Sequence, residues 1–187
     1  MPLGDAELVE RCLAGEEEAF RMLVERYDRR VYATIYRLVG SEPDARDLTQ
    51  ETFLRFFRSL DRFDSSRSLS AWLLRIASNQ TVDFLRKRRI DTVSLDEEGR
   101  GEVLESLLQT DAWEDSSSDP NRERLEHLVT RLAPGYRIVL ELRHAQGLQP
   151  GEIAEILDVT PATVRSRLHR AHRQLAGWLQ GKDLSDL

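Results

Sequence analysis

Apolar residues recur at three- and four-residue intervals on both sides of one acidic stretch, and that spacing restricts the chain to helices. From Ala19 to Val39, the residues Phe20, Leu23, Val24, Tyr27, Val31, Ile35 and Leu38 fall on one helical face, and Gly40 is placed to close the helix. Leu8 to Leu13 reads as a short amphipathic piece before it. Ser41 and Pro43 open a further helix that runs to about Leu60, with Ala45, Leu48, Thr52, Phe56 and Leu60 on one stripe. The segment Asp61 to Ser68, rich in Asp, Ser and Arg, reads as a loop. The next helix, from Ser70 to about Arg88, carries Trp72, Leu73, Ile76, Ala77, Val82 and Leu85. Periodicity resumes at Asn121 and runs to Leu132, breaks at Pro134 and Gly135, and returns from Tyr136 to Ala145, ending near Gly147. No strand-like alternation, glycine-rich phosphate loop or internal repeat occurs. The expected architecture is all-α: a helical domain over 1–90, a linker over 91–119 with a weak helix at Val103 to Leu108, and a second helical domain over 120–187.

Charge sharpens this division. The 187 residues carry a net charge of −6, which by itself argues against a nucleic-acid partner. Residues 91–119 hold ten acids and one arginine, whereas 1–90 and 120–187 are each slightly basic. Local patches steer binding to phosphates, so the total misleads. With 40% hydrophobic residues the chain can bury a core, and no apolar run approaches the ~20 residues of a membrane span. Met1 to Glu10 is polar and acidic, unlike a secretory signal. Cys12 is the single cysteine, which excludes an intrachain disulfide and fits a reducing, cytoplasmic setting. Its place among Leu8, Val9 and Leu13 assigns it to the core.

The strongest motif is PGEIAEILDVTPATVRSRLHRA, from Pro150 to Ala171. Ile153, Ala154 and Leu157 form the apolar face of a short helix. Asp158 occupies a sharp turn that favours a left-handed backbone, which Asp tolerates. Thr160 reads as an N-cap and Pro161 as a first-turn proline. Val164 and Leu168 would pin a second helix onto the first. This is a helix-turn-helix, whose second helix enters the major groove of DNA. Its outward face holds Arg165, Ser166, His169, Arg170 and Arg173. Arginine can grip guanine or phosphate, and Ser and His can reach base edges. The competing reading is an ordinary hairpin with a solvated basic face. Four arginines within nine residues, directly after a cap and turn, favour DNA. His169 and His172 lie three apart but lack carboxylate or cysteine partners, so no metal is expected.

In the first domain, Asp44, Asp47, Gln50 and Glu51 share a polar side of one helix, which alone could be a solvated face. A basic helix end, Arg86 to Arg89, and a loop with Arg62 and Arg67 suit single-stranded DNA, where base stacking combines with backbone charge. The runs DARDLTQETF (Asp44–Phe53), AWLLRIASN (Ala71–Asn79) and TVRSRLHRA (Thr163–Ala171) together resemble the extracytoplasmic-function sigma factors of bacterial RNA polymerase. Their order and spacing span nearly the whole chain.

That resemblance implies an alternative sigma factor with core RNA polymerase and promoter DNA as partners, commonly an anti-sigma factor as well, and no cofactor or small-molecule substrate. It implies that Asp47, Leu48, Gln50 and Glu51 dock on the clamp helices of the largest catalytic subunit. Arg62, Ser65, Ser66, Arg67, Ser68, Arg75, Asn79 and Arg86 would read the promoter element nearest the start site, the −10 element, where a base is flipped into a pocket. Ser166, His169 and Arg170 would read bases of the −35 element further upstream, with Arg143, Arg165 and Arg173 on phosphates. The linker would pass through the RNA exit region. Two departures stand out. Pro150 and Gly151 replace an aromatic and a carboxylate common in the family, which leaves the upstream preference open. Trp72 matches a position near the melting site, although its four-residue spacing from Ile76 favours a core role.

Two other functions compete. A stand-alone helix-turn-helix regulator would bind duplex DNA without polymerase, usually as a dimer. A nuclease or hydrolase would need a cluster of carboxylates or a nucleophile. The acids of 91–119 sit in the linker instead, and Ser, His and Asp show no recognisable arrangement.

Overall fold

The structure is a computed structural model that describes residues 3–94 and 120–180. The regular elements among them are all helical, and the chain divides into two compact units, Met1–Thr81 and Val82–Leu187.

The first unit contains α1 (Asp5–Leu13), α2 (Glu17–Val39), α3 (Glu42–Arg58), a 3-10 turn at Leu60–Arg62 and the first half of α4 (Leu69–Ser94). Gly40 ends α2 as the spacing predicts, with φ 71° and its N–H on the Tyr36 carbonyl at 2.8 Å. That left-handed residue lets α2 and α3 pack side by side across a two-residue connection. Asp5 favours the start of α1 by its charge and also ties α1 to α2. One carboxylate oxygen takes Arg26 Nη1 at 2.7 Å and the other takes the Tyr27 hydroxyl at 2.5 Å. Burial, and then the bond to Asp5, push the Tyr27 hydroxyl well above its ordinary pKa.

Leu8, Leu23, Ile35, Phe56, Leu69 and Leu73 are fully buried, each contributing about 1.5–3 kcal/mol of transfer free energy. Cys12 is buried among them. Burial raises its thiol pKa, and Glu16 raises it further. Four buried threonines bond to the carbonyl four residues earlier. Thr49 to Ala45, Thr52 to Leu48 and Thr81 to Ala77 are each 2.7 Å, and Thr34 to Arg30 is 2.9 Å. The Thr52 hydroxyl also meets Gln80 Oε1 at 2.8 Å, linking α3 to α4. The fourth helix runs past the expected end near Arg88 because no glycine or proline interrupts it before Ser94. The weak helix expected at Val103 to Leu108 lies outside the described residues.

The second unit adds α5 (Pro120–Arg131), α6 (Pro134–Leu140), a π-helical turn at Glu141–Ala145, α7 (Pro150–Leu157) and α8 (Pro161–Leu179). Each of these four helices starts on a proline, where the missing N–H would have had no helical partner anyway. Pro134 therefore opens α6, two residues before the start at Tyr136 that the break implied. The wider turn is marked by Gln146 N–H on the Glu141 carbonyl at 3.2 Å, and such turns recur at functional sites. Leu132, Ile138, Leu142, Ile153 and Val164 are fully buried. Arg137 is half-buried, and desolvation pulls its guanidinium down to about 10. The Arg131 guanidinium lies 4.9 Å from the Trp178 ring centre, a cation–π contact between α5 and α8. No helix among the described residues is long and apolar enough to cross a membrane.

Candidate nucleic-acid interface

The joint between α7 and α8 forms through local chemistry. Asp158 takes φ 54°, ψ 50°, the left-handed geometry the turn demands. Thr160 caps α8, its Oγ1 accepting the Thr163 N–H at 3.1 Å, and Pro161 follows. At the start of α7 the Gln149 N–H donates to Glu152 Oε2 at 2.7 Å. On α7 the buried residues are Ile153, Ala154 and Ile156, while Leu157 is half-buried. On α8 the buried seam is Val164, Ala171 and Leu175, with Leu168 half-buried at its edge. Arg165, Ser166, His169, Arg170 and Arg173 are all exposed. Their spacing places them on one helical face. The geometry therefore offers a rigid helix whose inner side is fixed by packing and whose outer side carries donors.

Two features near this face have no signature in the sequence. Arg143, expected on phosphate, is half-buried, and its Nη1 donates to the Leu148 carbonyl at 3.0 Å and to Gln149 Oε1 at 3.1 Å. It ties the π-turn to the entry of α7, so it positions the motif as well as carrying charge. His172 pairs with His144, Nε2 to Nε2 at 3.1 Å, and not with His169. Partial desolvation, His172 and the Arg143 guanidinium lower the His144 pKa below 6.5. A contact across 28 residues leaves no periodic trace in sequence.

In the first unit the loop between the 3-10 turn and α4 exposes Arg62, Ser65, Ser66, Arg67 and Ser68. Asn79 and Arg86 are exposed on α4, and Arg75 is half-buried. The loop is anchored at its start, where the Phe63 ring stacks on Trp72 with centroids 5.0 Å apart, and at its end by buried Leu69. Trp72 also meets Phe56 edge-on at 5.2 Å. It is half-buried, so it joins the core and supports the loop at once. Arg30 Nη1 bonds Ser70 Oγ at 2.7 Å, fixing the first turn of α4 against α2.

The third helix exposes Asp47 and Gln50, with Leu48 and Glu51 half-buried. Glu51 pairs along the helix with Arg55 at 2.8 Å. Beside them lies a groove of about 560 Å³ between α2 and α3, lined by Val24, Asp28, Tyr32, Arg46, Thr49, Gln50, Phe53, Leu54 and Phe57. Leu54 is exposed there, an apolar side chain open to a partner. Sequence spacing identified the polar side of α3 but not this groove, which needs two helices to exist.

Residues 23–90 match the family described as Sigma-70 region 2, and residues 122–175 match Sigma-70, region 4. These two matches define a two-region sigma factor. Its full-length relatives narrow this further. The chain is 32% identical to the ECF RNA polymerase sigma factor SigW of Bacillus subtilis, covering 96% of each chain. It is 32% identical to the ECF RNA polymerase sigma-E factor of Escherichia coli, covering 95% of each. Among solved structures it resembles CnrH in complex with the cytosolic domain of CnrY, at TM-score 0.66 and 25% identity over 96% of this chain and 99% of that one. The chain belongs to the ECF sigma factors, the transcription initiation factors that bind core RNA polymerase and promoter DNA.

Proposed function

We propose that the chain divides promoter recognition between a domain over 1–90 and a domain over 120–187, tethered by residues 91–119. The exposed face of α3, with Asp47, Leu48, Gln50 and Glu51, docks on core polymerase, and the neighbouring apolar groove adds contact area. The loop with Arg62, Ser65, Ser66, Arg67 and Ser68, together with Arg75, Asn79 and Arg86 of α4, captures single-stranded bases of the −10 element. On α8, Ser166, His169 and Arg170 read bases of the −35 element, while Arg165, Arg173 and Arg143 hold phosphates. One observation carries this reading: five exposed donors share one side of a helix whose opposite side is locked by Val164, Ala171 and Leu175. No covalent chemistry is involved. Bases captured out of the stack offset the few kcal/mol of unstacking. Tethering two weak contacts raises the effective concentration of the second. The protein works in the cytoplasm, and an anti-sigma factor that covers the docking face would hold it inactive.

Holoenzyme assembly tests the docking assignment. Asp47→Arg reverses the charge of an exposed side chain, so it should weaken binding to core polymerase while leaving thermal melting unchanged. Assembly at the unaltered affinity would remove α3 from the interface.

A further inference from the structure

The loop between the 3-10 turn and α4 contains an acid, Asp64, where charge alone would disfavour one beside DNA. A carboxylate near DNA repels phosphate, so its presence calls for a compensating role. Its bonds supply one. Asp64 Oδ1 accepts the Ser66 N–H at 3.0 Å and the Ser66 hydroxyl at 2.7 Å. The Asp64 carbonyl accepts the Arg67 N–H at 2.9 Å, closing a tight turn. Arg67 Nε stands 3.5 Å from Oδ2. The bonds from Ser66 hold the carboxyl below its ordinary pKa, with a smaller contribution from Arg67. Beyond the turn, Ser68 Oγ accepts the Ala71 N–H at 3.3 Å at the start of α4.

These bonds sort the loop's serines. The Ser66 hydroxyl and amide already donate within the turn, and the Ser68 oxygen already serves α4. Ser65 and the Arg67 guanidinium are exposed at the crest, between the Phe63 anchor on Trp72 and buried Leu69. We propose that Asp64 is a positioning residue: its carboxylate folds residues 64–67 into the turn that presents Ser65 and Arg67 to a single-stranded base. Within the capturing loop named above, Ser66 then serves as a strut of the turn, and Ser65 and Arg67 make the contact with the base. This rests on the proposal above that the loop reads the −10 element.

Substitution separates shape from charge. Asp64→Ala and Asp64→Asn both remove the negative charge, but only Asn keeps an oxygen that can accept from Ser66. The probe is a single-stranded oligonucleotide carrying the −10 element of a promoter selected from a randomised library by run-off transcription. Holoenzyme binding is compared with that of a base-substituted oligonucleotide, and the ratio of the two affinities is the readout. Asp64→Ala should reduce that ratio by about tenfold, as expected when the two hydrogen bonds from Ser66 that order the reading groups are lost. Asp64→Asn should keep it within about twofold of the unaltered protein. A purely structural loss would lower melting temperature and core binding without changing the ratio. An unchanged ratio in Asp64→Ala, or an equal loss in both variants, overturns the proposal. The double variant Ser65→Ala with Arg67→Ala is the control for the underlying reading. If it leaves the ratio intact, the loop does not read the element; if it abolishes the ratio while Asp64→Ala does not, only the positioning role fails.

Discussion

Thr160→Ala isolates the bond that starts the recognition helix. The Thr160 Oγ1 accepts the Thr163 N–H at 3.1 Å and shares a contact with the Thr163 hydroxyl at 2.9 Å. Alanine leaves that N–H without its cap, which costs about 1 kcal/mol of helix stability. For a domain of roughly 60–100 residues this lowers the melting midpoint by about 4–8 °C. Thr160→Ser retains the oxygen and should melt near the unaltered protein. Thr163→Ala should not reproduce the loss, because its amide can still reach Oγ1. Scanning calorimetry on the three variants reads the cap directly. The functional consequence follows from position: Arg165 and Ser166 lie in the second turn of α8, so fraying reaches them before it reaches Arg173. Holoenzyme binding to a duplex carrying the −35 element should weaken by up to about fivefold, the factor that 1 kcal/mol gives, while core binding stays constant. Equal melting of the Ala and Ser variants would refute the reasoning, because the cap would then contribute nothing.

Three further outcomes follow from the same geometry. Arg170→Ala should cost about 1–3 kcal/mol on the −35 element and little on scrambled duplex; equal losses in filter binding would reassign Arg170 to phosphate. Asn79→Ala should slow promoter opening, followed by permanganate reactivity, more than it weakens binding of the −35 duplex, and normal opening would remove Asn79 from strand capture. His144 has a depressed folded-state pKa, so the unfolded chain binds more protons just below pH 6.5. Stability should be full above that value and fall as pH drops through the folded pKa. In thermal melts from pH 7.5 to 5, His144→Gln should show a shallower decline, and identical slopes would exclude the pair as the cause.

The features legible in the sequence are those set by near neighbours. Helix periodicity, the glycine end of α2, the left-handed Asp158, the Thr160 cap and the exposed face of α8 each depend on residues within about one or two turns. The structure agrees with those expectations, apart from small shifts in where helices begin and end. Pro134 shows why boundaries slip: the residue that breaks one helix is well suited to start the next. The features that stayed hidden join distant segments. The Asp5 clamp on Arg26 and Tyr27, the Phe63–Trp72 stack, the α2–α3 groove and the His144–His172 pair have partners about 9 to 33 residues apart, and no spacing rule encodes them. Arg143 shows the mixed case. Its charge was evident, but its bond to the entry of α7 depends on a π-turn that the apolar pattern does not mark. Asp64 was within reach, since an Asp two residues before a Ser in a polar loop is a turn signal.

Run-off transcription from a randomised promoter library, with purified core polymerase and with or without this chain, tests the central account most directly. The chain should yield transcripts from a narrow set of promoters sharing two separated elements, and neither component alone should do so. Failure to associate with core polymerase at any ionic strength, combined with tight occupation of a duplex operator by the chain alone, would contradict it.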